Sequence, residues 1–209
     1  MIIDVWSDVV CPWCFIGKRR LDKALQEFGH SEEIIVRHRA FQLQPDAAET
    51  MPTSKLLAEK YRVSPNQVKE MQANVCAVAD GEGLCYNLDD TLSGNTFDAH
   101  RLLLWAASIG KDKELLEAMY SGYFEKSLPL FSHQDLIAIA EGVGIPAVDV
   151  MNVLDSDQFS DEVIKDRDVA ASLGATGVPF FVIDMKYGIS GAQPTATFLE
   201  TLNTAWADR

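Results

Sequence analysis

The sequence predicts an α/β protein in which a sheet domain is interrupted by a large all-helical insertion. Strand-type runs fall only near the two ends, at Ile2–Trp6 and Ile34–Phe41 and again at Val178–Asp184 and Tyr187–Gly191. Between Thr53 and about Leu173 apolar residues recur at helical spacing, with no strand run and no fixed-period repeat. The order β-α-β, helical block, β-β-α is that of one layered sheet with an insertion. It places 1–52 and 174–209 in a discontinuous sheet domain and 53–173 in a helical one.

Each element has a local reason. Ile2-Ile3-Asp4-Val5-Trp6 is an apolar-rich run of strand type. Leu21, Ala24, Leu25 and Phe28 recur at i, i+3, i+4 and i+7, which is one face of a helix over about 12–28. Pro12 suits the first helical position, where a missing N–H leaves no bond unmade. Ile34–Phe41 reads as a second strand, parallel to the first through a right-handed crossover. Its alternating basic and apolar second half predicts a partly exposed face. Gln44-Pro45-Asp46 and Met51-Pro52 mark a linker. Leu56, Leu57 and Tyr61 form a short helix that breaks at Arg62-Val63-Ser64-Pro65, where Ser64 is an N-cap and Pro65 opens the next helix. Further helices open at Asn95-Thr96, carrying Ala99, Leu102, Leu103 and Ala106, and at Ser132–Asp135. The pattern continues over Val148–Leu154 and Asp161–Leu173, punctuated by Gly110, Gly142 and Gly144. Thr195–Ala205 closes the chain with Phe198, Leu199 and Leu202 on one face.

Composition narrows the function classes. A net charge of −13 argues against nucleic acid or an anionic membrane as partner. No apolar stretch approaches the roughly 20 residues of a membrane helix, and no basic n-region precedes the first strand, so a cytoplasmic protein is expected. Four cysteines in 209 residues are too few for a disulfide scaffold, and in a reducing compartment a close pair points to redox chemistry or metal.

That pair is Cys11-Pro12-Trp13-Cys14, at the junction of the first strand and the first helix. Cys11 falls at the helix N-terminus, where the macrodipole favours thiolate, and Cys14 lies one turn further in. The expected geometry is one exposed, activated sulfur with a shielded partner, and Trp13 exposed beside it. A C-x-x-C in a strand–helix context reads as a thiol–disulfide redox motif. Zinc would need two further ligands, which Cys76 and Cys85 supply only through an unusual fold, so no metal is expected. Lys18, Arg19 and Arg20 read as a solvated helix face whose charge also favours a thiolate nearby. Cys76 and Cys85 are either small buried apolar residues or a second redox pair. Nine positions on one continuous helix rise roughly 13 Å, too far for a disulfide, so a bridge requires the helix to end near Gly81. His100 is either a locally satisfied helix residue or part of an active-site cleft.

The whole pattern resembles the thioredoxin-fold oxidoreductases of the DsbA family. The resemblance is carried by the strand before C-P-W-C, the interposed helical block, and Gly177-Val178-Pro179 before a later strand. Cys11–Lys18, Asn95-Thr96 with Ala99-His100-Arg101-Leu102, and Ser190–Pro194 look like recurrent segments of its FrnE-type subfamily. The resemblance implies catalysis by Cys11 and Cys14 without a bound cofactor, with protein thiols and disulfides or glutathione as partners. It also implies a cis Val178–Pro179 bond and substrate contact by Pro12, Trp13, Val178, Pro179 and His100. Glutathione-dependent isomerases and kappa-class transferases look similar but tend to carry serine at the position of Cys11. A redox-switched holdase is the non-enzymatic alternative.

Overall fold

The computed structural model describes residues 1–209 and contains a four-stranded sheet and a separate two-stranded ladder. Ile2–Ser7 (β1) runs parallel to Ile35–Ala40 (β2), with the helix Pro12–Glu27 (α1) crossing between them. Met51–Pro52 (β3) pairs with Leu92–Ser93 (β4). This ladder lies partly inside the stretch expected to be helix alone; two residues per strand are too short to show a period. Phe180–Ile183 (β5) lies antiparallel to β1 on its free side, and Tyr187–Ser190 (β6) completes the order β2-β1-β5-β6.

The helical block comprises Thr53–Tyr61 (α2), Pro65–Gly81 (α3), Phe97–Ser108 (α4), Asp112–Lys126 (α5), His133–Gly142 (α6), Ala147–Leu154 (α7) and Ser160–Ser172 (α8). Thr195–Ala207 (α9) ends the chain. Two helices of the block start at capping boxes. Ser64 Oγ accepts the Gln67 N–H at 3.4 Å while Gln67 Oε1 accepts the Ser64 N–H at 2.9 Å, and Ser132 and Asp135 make the same box on α6. The α3 helix stops at Gly81, as the Cys76–Cys85 spacing requires of any bridge. Gly83, at φ +80°, turns the chain, and the Leu84 N–H returns to the Ala79 carbonyl at 3.0 Å.

Three cores hold these layers. Ile3, Phe181 and Ile183 of the sheet pack with Leu21 and Ala24 of α1 and with Phe198 and Leu202 of α9. On the opposite face, Trp6, Phe180 and Val182 pack with Ala170 of α8, and the Trp6 indole N–H donates to the Asp166 carbonyl at 2.8 Å. The largest core is that of the helical block, and it includes Phe15, Ile16, Cys11 and Cys14. The first turns of α1 are therefore buried in the block and its later turns in the sheet core. The basic run is not simply solvated. Arg19 makes a forked pair with Glu117 of α5 and lies 4.6 Å over the Phe15 ring. Arg20 and Lys23 each reach Glu82 at 2.6 Å. These pairs fasten α1 to the block from both sides.

Candidate active site

Cys11 occupies the N-cap of α1 with Pro12 as the first helical residue, where the spacing placed them. Its backbone N–H donates to the Asp8 carbonyl at 3.1 Å, and the Cys14 N–H to the Cys11 carbonyl at 2.9 Å. The sulfur is not exposed as expected: Cys11 is only 4% accessible, because the helical block roofs it, and it opens onto a cleft of about 390 Å³. Trp13, 39% accessible, and Pro12 line the mouth of that cleft.

Across from Cys11 the Val178–Pro179 peptide bond is cis, and the Cys11 thiol donates to the Val178 carbonyl at 3.6 Å. Val178 lines the cleft, whereas Pro179 is buried behind it and does not reach the cavity wall. A Cβ on Gly17 of α1 would come within 3.0 Å of Pro179 Cγ and 3.1 Å of Phe181 Cζ. Glycine there is what lets β5 close against the redox helix.

Cys14 is 2% accessible. Burial pushes its thiol well above the usual cysteine range, reinforced by the hydrogen bond and charge of Cys11. A second cavity of about 180 Å³ lies behind it, on the far side from the cleft, lined by Ser7, His38 and Tyr120 among others.

Between the redox motif and β2 sits a buried polar chain that pattern reading missed apart from His100. Asp8 is fully buried. Its Oδ2 accepts the Leu43 N–H at 2.7 Å, and its Oδ1 faces His100 Nε2 at 3.4 Å without the alignment of a hydrogen bond. His100 Nδ1 lies 3.4 Å from His38 Nε2, the two rings are parallel, and His38 Nδ1 is 3.2 Å from Ser7 Oγ. Burial pushes His38 down to about 3, helped by His100 and Arg39. His100 itself is fully buried and lines neither cavity, because the inner face of α4 points it at Asp8. Asp8, an acid directly after a strand and three residues before Cys11, was the available signal. Arg101, next to His100, is structural; it bonds Asp98 and the Gln158 and Val153 carbonyls.

The cleft wall facing Cys11 is built by Leu56, Leu57 and Tyr61 of α2, Val75 of α3 and Tyr123 of α5. Although 31 of the 209 residues are acidic, no carboxylate lines it, and Lys60 is its one cation. Cys76 on α3 and Cys85 beyond it are free thiols, half-buried and exposed respectively, and neither reaches either cavity.

A crystal structure described as a probable DsbA oxidoreductase, SCO1869 from Streptomyces coelicolor, superposes with a TM-score of 0.96. It is 43% identical, with 100% of this chain and 91% of that one covered. The cytosolic disulfide reductase DsbM from Pseudomonas aeruginosa, solved with GSH, shares the fold at a TM-score of 0.66 and 13% identity, covering 99% and 100% of the two chains. The uncharacterized protein YwbO of Bacillus subtilis (strain 168) is 22% identical over 185 residues, 87% of this chain and 86% of its own. The family model of the DSBA-like thioredoxin domain matches residues 2–203, and the chain belongs to that family.

Proposed function

We propose that the protein is a thiol–disulfide oxidoreductase that exchanges disulfides with protein or small-molecule thiols through Cys11. The observation that carries this reading is the asymmetry of the pair. Cys11 opens from a helix N-terminus onto an apolar cleft, while Cys14 is shielded behind it with its proton held tightly.

In the reductive direction the Cys11 thiolate attacks one sulfur of a substrate disulfide, and the other substrate sulfur leaves as a thiolate. The mixed disulfide is then resolved by Cys14. Its proton passes to the buried Asp8–His100 pair, its sulfur attacks Cys11, and the second substrate thiolate departs. Two electrons move from the cysteine pair to the substrate, and the reverse sequence oxidises a dithiol. Val178 presents a backbone edge to an extended substrate, and Pro12 and Trp13 flank it. The carboxylate-free walls favour apolar or anionic groups beside the reacting sulfur. The reading extends to a cytoplasmic setting with glutathione as reductant, which the fold shared with a cytosolic reductase solved with GSH supports. No helix is long and apolar enough to cross a membrane.

Insulin reduction and mixed-disulfide trapping test this. Cys14→Ser should accumulate a covalent adduct at Cys11, and Cys11→Ser should form none and lose turnover. A likeness in fold to 2-hydroxychromene-2-carboxylate isomerase, at a TM-score of 0.67, makes isomerisation the rival. Full isomerase activity in Cys14→Ser, with no adduct trapped, would favour it.

A further inference from the structure

We propose that Cys85 is a thiolation site for small disulfides, that Cys76 converts the adduct into a Cys76–Cys85 disulfide, and that Tyr86 transmits this change to the Cys11–Cys14 centre. The inference rests on the redox reading above.

The segment after α3 carries the argument. The turn at Gly83 sends the chain back along the last turns of α3, so Cys76 Sγ lies 4.0 Å from the Tyr86 carbonyl, one residue from Cys85. Cys85 is exposed and meets solvent disulfides first; Cys76 is half-covered, with its thiol pushed up by burial and by Asp89. The same segment grips α1 twice. Glu82 holds Arg20 and Lys23, and the Tyr86 hydroxyl donates to the Pro12 carbonyl at 2.8 Å. The Tyr86 ring is stacked 4.9 Å from Phe124 and 6.2 Å from Phe15. The two cysteines that the exchange mechanism does not use thus flank the side chain that bonds the redox motif.

A hydrogen bond on the Pro12 carbonyl polarises the Pro12–Trp13 amide, whose N–H belongs to the open first turn of α1 beside Cys11. Tyr86 is in this sense a positioning residue that favours the reduced, anionic form of the centre. Glutathione disulfide serves as the oxidant. The Cys85 thiolate attacks one of its sulfurs and releases one glutathione thiolate. Cys76 then attacks the Cys85 sulfur and releases the second. Two electrons pass from the two cysteines to the disulfide, and their two protons end on the departing thiols. Bridging requires the Cα atoms within about 7 Å, which draws Cys85 onto α3 and pulls Tyr86 off Pro12.

The test uses full-length protein and glutathione disulfide. In Cys11→Ser/Cys14→Ser protein, peptide mapping should show a Cys85–glutathione adduct followed by a Cys76–Cys85 cross-link. In protein with the redox centre intact, Tyr86→Phe should shift the Cys11–Cys14 equilibrium with glutathione about threefold to tenfold toward the disulfide, equivalent to about 15–30 mV. Pre-bridged wild type should show the same shift, and Cys85→Ser should show none. Absence of the adduct and cross-link, or an unshifted equilibrium in Tyr86→Phe, overturns the inference. Failure of Cys11–Cys14 to equilibrate with glutathione at all overturns the redox reading instead.

Discussion

Replacing Asp8 with Asn should make the protein more stable and the exchange reaction slower. Asp8 is fully buried, with one oxygen bonded to the Leu43 N–H at 2.7 Å and the other facing His100 Nε2 at 3.4 Å without a hydrogen bond. A buried carboxylate carries a desolvation penalty of several kcal/mol, and an unsatisfied acceptor adds about 1–3 kcal/mol. Asparagine keeps the acceptor for Leu43 and turns its amide N–H toward His100 Nε2, which relieves both. The expected gain is about 1–3 kcal/mol, a rise in Tm of roughly 2–12 °C for a chain of this size. Urea unfolding of the reduced protein, read as a higher midpoint at constant m, measures it. On the proposed mechanism the same change removes the acceptor for the Cys14 proton, and positioned general bases are worth about 100-fold or more. Rapid-quench measurement of mixed-disulfide decay should therefore show resolution slowed by about that factor, with formation of the adduct at Cys11 unchanged. A destabilised Asp8→Asn protein that resolves at the wild-type rate would refute the assignment of Asp8 as a poorly satisfied base that takes the Cys14 proton.

Three further outcomes follow from the geometry. Gly17→Ala gains about 1 kcal/mol of helix propensity but forces contacts of 3.0 and 3.1 Å with Pro179 and Phe181 that overpacking penalises by about 1–3 kcal/mol. Urea unfolding should show a net loss of up to about 2 kcal/mol, against a neutral Gly29→Ala control. His38 titrates at about 3 in the fold against 6.5 unfolded, so the unfolded chain binds the extra proton between those values. Stability should thus fall as pH drops from 6.5 toward 3, by up to about 1.4 kcal/mol per pH unit, and His38→Gln should flatten that limb in unfolding measured across pH. Iodoacetamide on the reduced protein, followed by mass spectrometry, should label Cys11 well before Cys14; the reverse order would exchange their roles.

The sheet and the redox motif were legible because each depends on short-range chemistry. Ile2–Trp6 and Phe180–Ile183 carry apolar runs, Pro12 fixes the start of α1, and Ser64 with Gln67 writes a capping box into four residues. What was not legible depends on contacts between distant residues. The burial of Cys11 comes from the helical block folding over it, and nothing local to residues 11–14 encodes that roof. The reach of Arg19 to Glu117 spans 98 positions, so the basic run looked like a solvated face. The α5 helix hides its start because Lys111 makes no side-chain cap. Its buried Leu115, Met119, Tyr120, Tyr123 and Phe124 also spread beyond one clean stripe, as suits a helix central to its core. His100 was picked out by its segment, but its partners Asp8 and His38 lie on β1's exit and on β2, and only the fold joins them.

These long-range contacts make the helical block part of the candidate active site rather than a cap beside it. Glu117 and Glu82 are each pushed up by burial. Yet the bonds and charges of Arg19 and Lys18 on the first, and of Lys23 and Arg20 on the second, outweigh that and hold both carboxyls below the usual range. A carboxylate with a depressed pKa contributes stability that is complete above the ordinary glutamate range and is lost as pH falls through the depressed value. The pairs therefore persist through mild acid. Opening the cleft by swinging the block away from α1 would break both pairs and expose Phe15, which stacks at 4.9 Å on Tyr120. Its walls come from α2, α3, α5 and the redox motif together, so their spacing is set by the same bonds that hold α1. On the proposed reading, a substrate disulfide meets a cleft already formed around Cys11, and the choice among disulfides falls to what those apolar, carboxylate-free walls admit.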